Sequence, residues 1–169
     1  MLTDRTADYV SLSRQDALAL AKDFLTRRGY PNMAESYFIQ RGGLLTINFA
    51  SVQDCVVCYP DLVKVTVALD NGQITGFDSD GYLMSHTVRA LAAPAVSEAD
   101  ARKQVPDDLT ILSEHTALIP TGGEYEVLCY EYKCRNAAGS HVIIYVNVAT
   151  GQQEKVLLLV EDQSGTLAI

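Results

Sequence analysis

No stretch of this 169-residue chain comes near the ~18–20 consecutive apolar residues that span a bilayer, so no membrane helix is expected within it. Basic residues are in deficit, 13 against 21 acidic, and a net charge of −8 has the wrong sign for gripping nucleic acid or an anionic lipid surface. Tryptophan is absent and phenylalanine numbers only four, so the aromatic content rests on nine tyrosines. The three histidines, His86, His115 and His141, fall at expected strand ends and in a tail. None adjoins a serine or cysteine in a turn of the nucleophile-elbow kind, so local sequence marks no coupled nucleophile and base. The acidic clusters Asp78-Ser79-Asp80 and Asp107-Asp108 lack the twelve-residue ligand pattern, ending in glutamate, of a calcium loop. They read as solvated loop charges.

Cysteine is sparse as well, at four. Cys55-Val56-Val57-Cys58 has zinc-knuckle spacing, and Cys129 and Cys134 could complete a set of four. The surroundings are wrong for it. The first pair lies in an apolar segment heading into a strand, without the glycine and polar turn residues that present such a knuckle. On a regular strand an odd separation sends the two side chains to opposite faces, and the same holds for Cys129 and Cys134. Ordinary buried thiols are expected.

What the chain does contain is itself, twice. Ser13-Arg14-Gln15-Asp16-Ala17 recurs as Ser97-Glu98-Ala99-Asp100-Ala101, and Gly81-Tyr82-Leu83 as Gly165-Thr166-Leu167, both at an offset of 84. Between them, Val67–Gln73 corresponds to Val146–Gln152 at an offset of 79. A repeat of about 80 residues is a small domain rather than a solenoid unit. Residues 1–10 then read as the tail of a preceding copy, 11–89 as one unit, 90–96 as a linker around Ala92-Ala93-Pro94, and 97–169 as a second unit. The chain reads as part of a longer array. Units this small bury only about 60–65% of their surface, so they are expected to support one another.

Each unit opens on a helix. In the first, Ala17, Leu20, Ala21, Phe24 and Leu25 fall on one face, with Ser13 as N-cap, Asp16 as an imperfect capping-box partner, and Gly29 and Pro31 as stops. Strands are predicted at 37–40 and 45–49 around Gly42-Gly43, and at 63–69 and 73–77 around Asn71-Gly72, which suits a type I′ turn. In the second unit Ser97 caps a helix that Pro106 ends after about two turns, and strands are predicted at 110–119, 125–134, 141–147 and 154–160. The class is α+β: two antiparallel sheets of three to four strands, each carrying its helix on one face, with neither a parallel βαβ crossover nor one continuous barrel. Tyr125, Tyr130, Tyr132 and Tyr145 lie on predicted strands. They suit either a core rimmed by hydroxyls or a sheet face used for contact.

A capped helix followed by an antiparallel sheet, duplicated and without a catalytic cluster, resembles the PepSY domain. The run from Tyr59-Pro60-Asp61 through Asp70-Asn71-Gly72-Gln73 to Gly81-Tyr82-Leu83-Met84 is similar, more narrowly, to spore-germination proteins of the YpeB family. So are Ala117-Leu118-Ile119-Pro120-Thr121, Leu128-Cys129-Tyr130-Glu131 and Thr150-Gly151-Gln152-Gln153-Glu154-Lys155. The resemblance implies a non-enzymatic module, inhibitory or chaperone-like, that supports the accumulation and control of a spore-cortex-lytic enzyme of the lytic transglycosylase type. It implies a place on the cortex side of the inner spore membrane, in a parent anchored at its N-terminus, this segment itself not being inserted. It carries over no catalytic, metal or cofactor residue. A small ligand- or metal-binding domain using the cysteines or the acidic loops is the competing reading, and the oligomeric state is left open.

Overall fold

The computed structural model describes residues 2, 5–122, 125–162 and 165–168, with the backbone alone from residue 160 onward. Helix α1 (Arg14–Arg27) begins at Ser13, whose hydroxyl accepts the Asp16 N–H while the Asp16 carboxylate accepts from the Ser13 backbone. The capping box is therefore complete with aspartate in the place where glutamate is usual. Ala17, Ala21 and Leu25 are buried on the sheet formed by β1 (Met33–Arg41), β2 (Leu44–Gln53), β3 (Val56–Ala68) and β4 (Ile74–Asp78). Their partners are alternate residues, Leu45, Ile47 and Phe49 on β2 and Val63, Val65 and Val67 on β3, as period-two strands with one covered face require. A short helix α2 (Asp80–Ser85) follows.

The second unit repeats this order with a shorter helix and one more strand. The four-residue helix α3 (Glu98–Ala101), capped by Ser97, continues as a 3-10 turn through Gln104 and stops before Pro106. Ala101, Val105 and Leu109 stand where Ala17, Ala21 and Leu25 stand, each 84 residues on. The sheet comprises β5 (Thr110–Pro120), β6 (Glu126–Arg135), β7 (His141–Asn147), β8 (Gln153–Asp162) and β9 (Gly165–Ala168). Val142, Ile144, Val146 and Val148 repeat the buried row Val63, Val65, Val67 and Leu69 at the offset of 79. The chain entry is copied too. Ser11 and Leu12 donate to the Leu69 carbonyl, and Ala95 and Val96 to that of Val148.

The α+β class and the antiparallel order within each unit hold, but the two sheets are not separate. Residues Val56, Val57 and Cys58 of β3 pair in parallel with Thr116, Ala117 and Leu118 of β5, and Ile39 of β1 pairs with Gly165 of β9. With β2 bonded to β3, eight strands close a hydrogen-bonded circuit from which β4 branches. Strand β3 can serve both units because it is long, at 13 residues. Its C-terminal half pairs with β4 on the edge whose N-terminal end meets β5. Two further differences are local. Gly81-Tyr82-Leu83 is helical whereas its repeat Gly165-Thr166-Leu167 is a strand, so the same short motif takes two structures. The two-residue turn with positive φ at both positions is Asp54-Cys55 (φ 49° and 65°), joining β2 to β3, not Asn71-Gly72, where Gly72 alone is positive.

Candidate functional site between the two sheets

Strand β6 is covered on both faces. Tyr130, Tyr132 and Cys134 face the short helix of their own unit, while Cys129 and Glu131 are buried on the side of the first unit. On that second side the register of four strands sets His115, Glu131, Tyr145 and Lys155 directly opposite one another in a single row. Directly opposed residues share a face, so these four side chains enter the same space. From the first unit Val57 and Tyr59 of β3 face the row, and the Tyr59 and Tyr145 rings meet edge to face at 6.4 Å. The circuit of strands and α1 line a partly open cavity of about 740 Å³, with these residues and Arg14, Glu35, Phe38, Lys133, Ile143 and Leu157 among others in its wall.

Glu131 is the unusual member. It is only 4% exposed, and Oε2 finds no hydrogen-bond partner among the described residues. His115 Nε2 lies 3.3 Å from the other oxygen, Oε1, and this contact raises the imidazole pKa against the effect of burial. Burial, reinforced by the Glu131 charge, drives the Tyr59 and Tyr145 phenols far above the ordinary tyrosine range, so both hydroxyls stay protonated. The cavity thus presents a carboxylate, an imidazole and two phenolic O–H groups in a largely apolar wall.

A second polar cluster joins the units at the rim. Asp61, fully buried on β3, receives the Arg89 guanidinium on both oxygens at 2.8 Å, the Ser51 hydroxyl at 2.8 Å and His86 Nδ1 at 2.7 Å. Burial raises its pKa, but these hydrogen bonds outweigh that and hold the carboxyl below its ordinary value. Arg89 reaches at the same time to both oxygens of Glu126, the first residue of β6, at 2.7 Å. Tyr82 stacks on His86. Every charge in this cluster is spent on holding the chain between β4 and β5 against both sheets.

The residues singled out from the sequence are dispersed by the fold. Cys58, Cys129 and Cys134 lie in three different apolar clusters, and burial raises each thiol, that of Cys129 to about 12. Cys55 departs from expectation: it is exposed, in the β2–β3 turn. Among the described residues no group of three or more His, Cys, Asp and Glu side chains is placed to hold a metal ion. His115 is not at a strand end but within β5, and His141 begins β7. Asp78 ends β4, where the Asp80 N–H and Lys64 hold its carboxyl below the ordinary range, while Asp107 and Asp108 are exposed. Of the tyrosines, Tyr130 and Tyr132 are core residues whose hydroxyls donate to the Val96 and Glu98 carbonyls, Tyr145 faces the cavity, and Tyr125 is exposed just outside β6. Neither the Glu131 row nor the Asp61–Arg89–Glu126 cluster is marked by local sequence. A buried acidic residue inside the apolar run Val127–Tyr132 was the only available signal.

This architecture is shared with known proteins. The family model described as "YpeB sporulation, PepSY1 and PepSY2 domains" matches residues 1–92. Over 92% of its length the chain is 33% identical to the sporulation protein YpeB of Halalkalibacterium halodurans and 28% identical to that of Bacillus subtilis. It spans about a third of those proteins, 34% and 35% respectively. The solved Bacillus megaterium YpeB C-terminal domain superposes with a TM-score of 0.86 at 27% identity, covering 95% of this chain and 71% of that one. Among the described residues no helix is long and apolar enough to cross a membrane. With the family model covering more than half of its residues, the chain belongs to the YpeB family of sporulation proteins.

Proposed function

We propose that this chain is a non-enzymatic interaction module that supports the accumulation and control of a spore-cortex-lytic enzyme during sporulation and germination. The observation that carries the proposal is likeness to YpeB sporulation proteins over 92% of the chain. The use of its charged residues agrees with it, because the Asp61–Arg89–Glu126 cluster binds one unit to the other instead of assembling around an exposed nucleophile. In this reading residues 11–89 and 97–169 are two PepSY-like domains of a longer, N-terminally anchored protein on the cortex side of the inner spore membrane. Partner contact then uses what the fold leaves open. Both faces of β6 are covered, whereas Leu83, Met84 and Val88 are 70–87% exposed after β4. The test is made in spores by deleting residues 11–169 from the full-length protein. Failure of the lytic enzyme to accumulate is the expected result; normal accumulation and normal cortex degradation overturn the assignment.

A further inference from the structure

The two units join beside a titrating pair. The parallel pairing of β5 with β3 begins at Thr116, the residue after His115, and His115 stands directly opposite Glu131 on β6. Imidazole Nε2 lies 3.3 Å from Glu131 Oε1, and both atoms belong to a row that faces the first unit. Tyr59 reaches the same place from β3. Its hydroxyl and that of Tyr145 lie against the Glu131 carboxylate, without a full hydrogen bond to Oε2. One unit thus supplies the acid and the base, and the other a neutral donor.

A carboxylate buried to 4% exposure needs a positive partner, because a charge taken out of water is costly unless another compensates it. Phenols that stay protonated orient such a carboxylate but do not neutralise it. The other charged and titratable groups around this space are Lys133 on β6, Lys155 on β8, Glu35 and Tyr37 on β1, and Arg14 on α1. Among the described residues Glu131 forms its ion pair with His115 and with none of these. The imidazole exchanges its proton with solvent, since the side chain is 35% exposed although Nε2 itself is buried. Glu131 raises its pKa, with burial acting in the opposite direction. The pair is therefore fully charged below the ordinary histidine value of 6.5, and its contribution is lost as pH rises through the raised one. Above that point the buried carboxylate has lost its cation. We infer that His115 and Glu131 form a proton-controlled latch between the two units, closed while the imidazole is charged and loosened, together with the β3–β5 pairing, when it is neutral. The latch is a property of this chain and stands apart from any partner.

Two NMR measurements on the whole chain test it. The first follows the His115 ring proton through a pH titration, where the midpoint is expected above 6.5 and Glu131→Gln should bring it to that value or below. The second follows amide hydrogen-exchange protection, corrected for intrinsic rates, between pH 6 and pH 9. Val56, Val57 and Cys58, which pair with β5, should lose protection as His115 titrates, by about tenfold for each unit that its pKa is raised. Val65, paired within the first unit's own sheet, should lose less. His115→Gln keeps an amide donor without a titrating charge, and there the loss at Val56, Val57 and Cys58 should vanish. It also serves as the second variant if Glu131→Gln does not fold. A midpoint at or below 6.5 in the unsubstituted chain, or one that Glu131→Gln leaves unmoved, overturns the inference. So does protection at the junction that stays constant with pH, that falls no further than at Val65, or that falls equally in His115→Gln.

Discussion

Gly72 sits at φ +78°, and a Cβ built there would lie 2.7 Å from Leu20 Cδ1 and 3.2 Å from Leu12 Cδ1. Its repeat Gly151, at φ +71°, would bring a Cβ to 3.3 Å from both Val96 methyls. The two glycines therefore do the same work in both units: each lets the chain entering the helix lie across the turn that closes the sheet. Asn71 contributes differently, through its side chain. Its Oδ1 accepts the Gln73 N–H and a hydrogen bond from Arg5. The two positions should respond unequally to the same substitution. Gly72→Val combines left-handed strain with a steric clash and should cost about 2–4 kcal/mol, whereas Asn71→Val loses two exposed hydrogen bonds, one local and one to Arg5, and should cost about 1 kcal/mol. Urea unfolding of both variants checks this. Equal losses would mean that both residues carry left-handed backbone.

At the level of elements, the polar cluster at Asp61 decides how β3, the 79–89 segment and β6 stay together. Arg89 is its hub, with a side chain 7% exposed and bidentate contact to Asp61 on one side and Glu126 on the other. Removing one partner of a buried pair leaves the other charge stranded, so Arg89→Met should destabilise by about 3–5 kcal/mol, and adding Asp61→Asn should recover a large part of the loss. The pH dependence has a definite sign. The Asp61 carboxyl titrates below its ordinary value near 3.8 in the folded state, so its contribution is complete above that value and is lost as pH falls through the lowered one. In Arg89→Met the chief partner is gone and burial works unopposed by it. The acid loss of stability should then begin at higher pH. Unfolding midpoints between neutral pH and pH 3 measure both effects, and an unshifted acid limb in the variant would remove Asp61 from the account.

On the scale of the whole molecule, two small units share one hydrogen-bonded circuit. Alone, a unit of about 80 residues buries a modest fraction of its surface. Here the apolar cluster of Ala117, Ile119, Cys129 and Tyr145 is completed by Val57 and Tyr59 from the other unit. The parallel β3–β5 pairing, though only three residues long, makes β3 common property. The chain should therefore unfold in one transition, with equal calorimetric and van't Hoff enthalpies. Arg89→Met, which cuts the clasp at the rim, is the variant in which a second transition should first emerge. Two separated transitions in the unsubstituted chain would show that the shared strand does not couple the units.

The repeat, both helices with their caps, and the alternating buried rows were legible in the residues. Each is a local pattern: Ser13 and Ser97 before a helix, Ala17, Ala21 and Leu25 at helical spacing, Val63, Val65 and Val67 at strand spacing. The α+β class followed from those patterns, while the resemblance to YpeB proteins rested on particular runs such as Tyr59–Met84; the fold bears out the first and the family match the second. The Asn-Gly pair misled because it is the strongest short hairpin signal, and only the course of the following strand told that a longer loop was needed. Nothing local foretold that Gly165-Thr166-Leu167 would be a strand where Gly81-Tyr82-Leu83 is a helix. Tertiary structure alone decided that the two sheets would join, and with that the candidate site. Glu131 meets His115 and Tyr145 only through strand register, and Tyr59 only through the docking of one unit on the other. Asp61, Arg89 and Glu126 come together from positions 28 and 37 residues apart. The physical reason is one of range. Helix and strand periodicity is written in neighbours three, four or two residues away, whereas pairing between sheet edges and the burial of a charge depend on residues that meet only after the chain has folded.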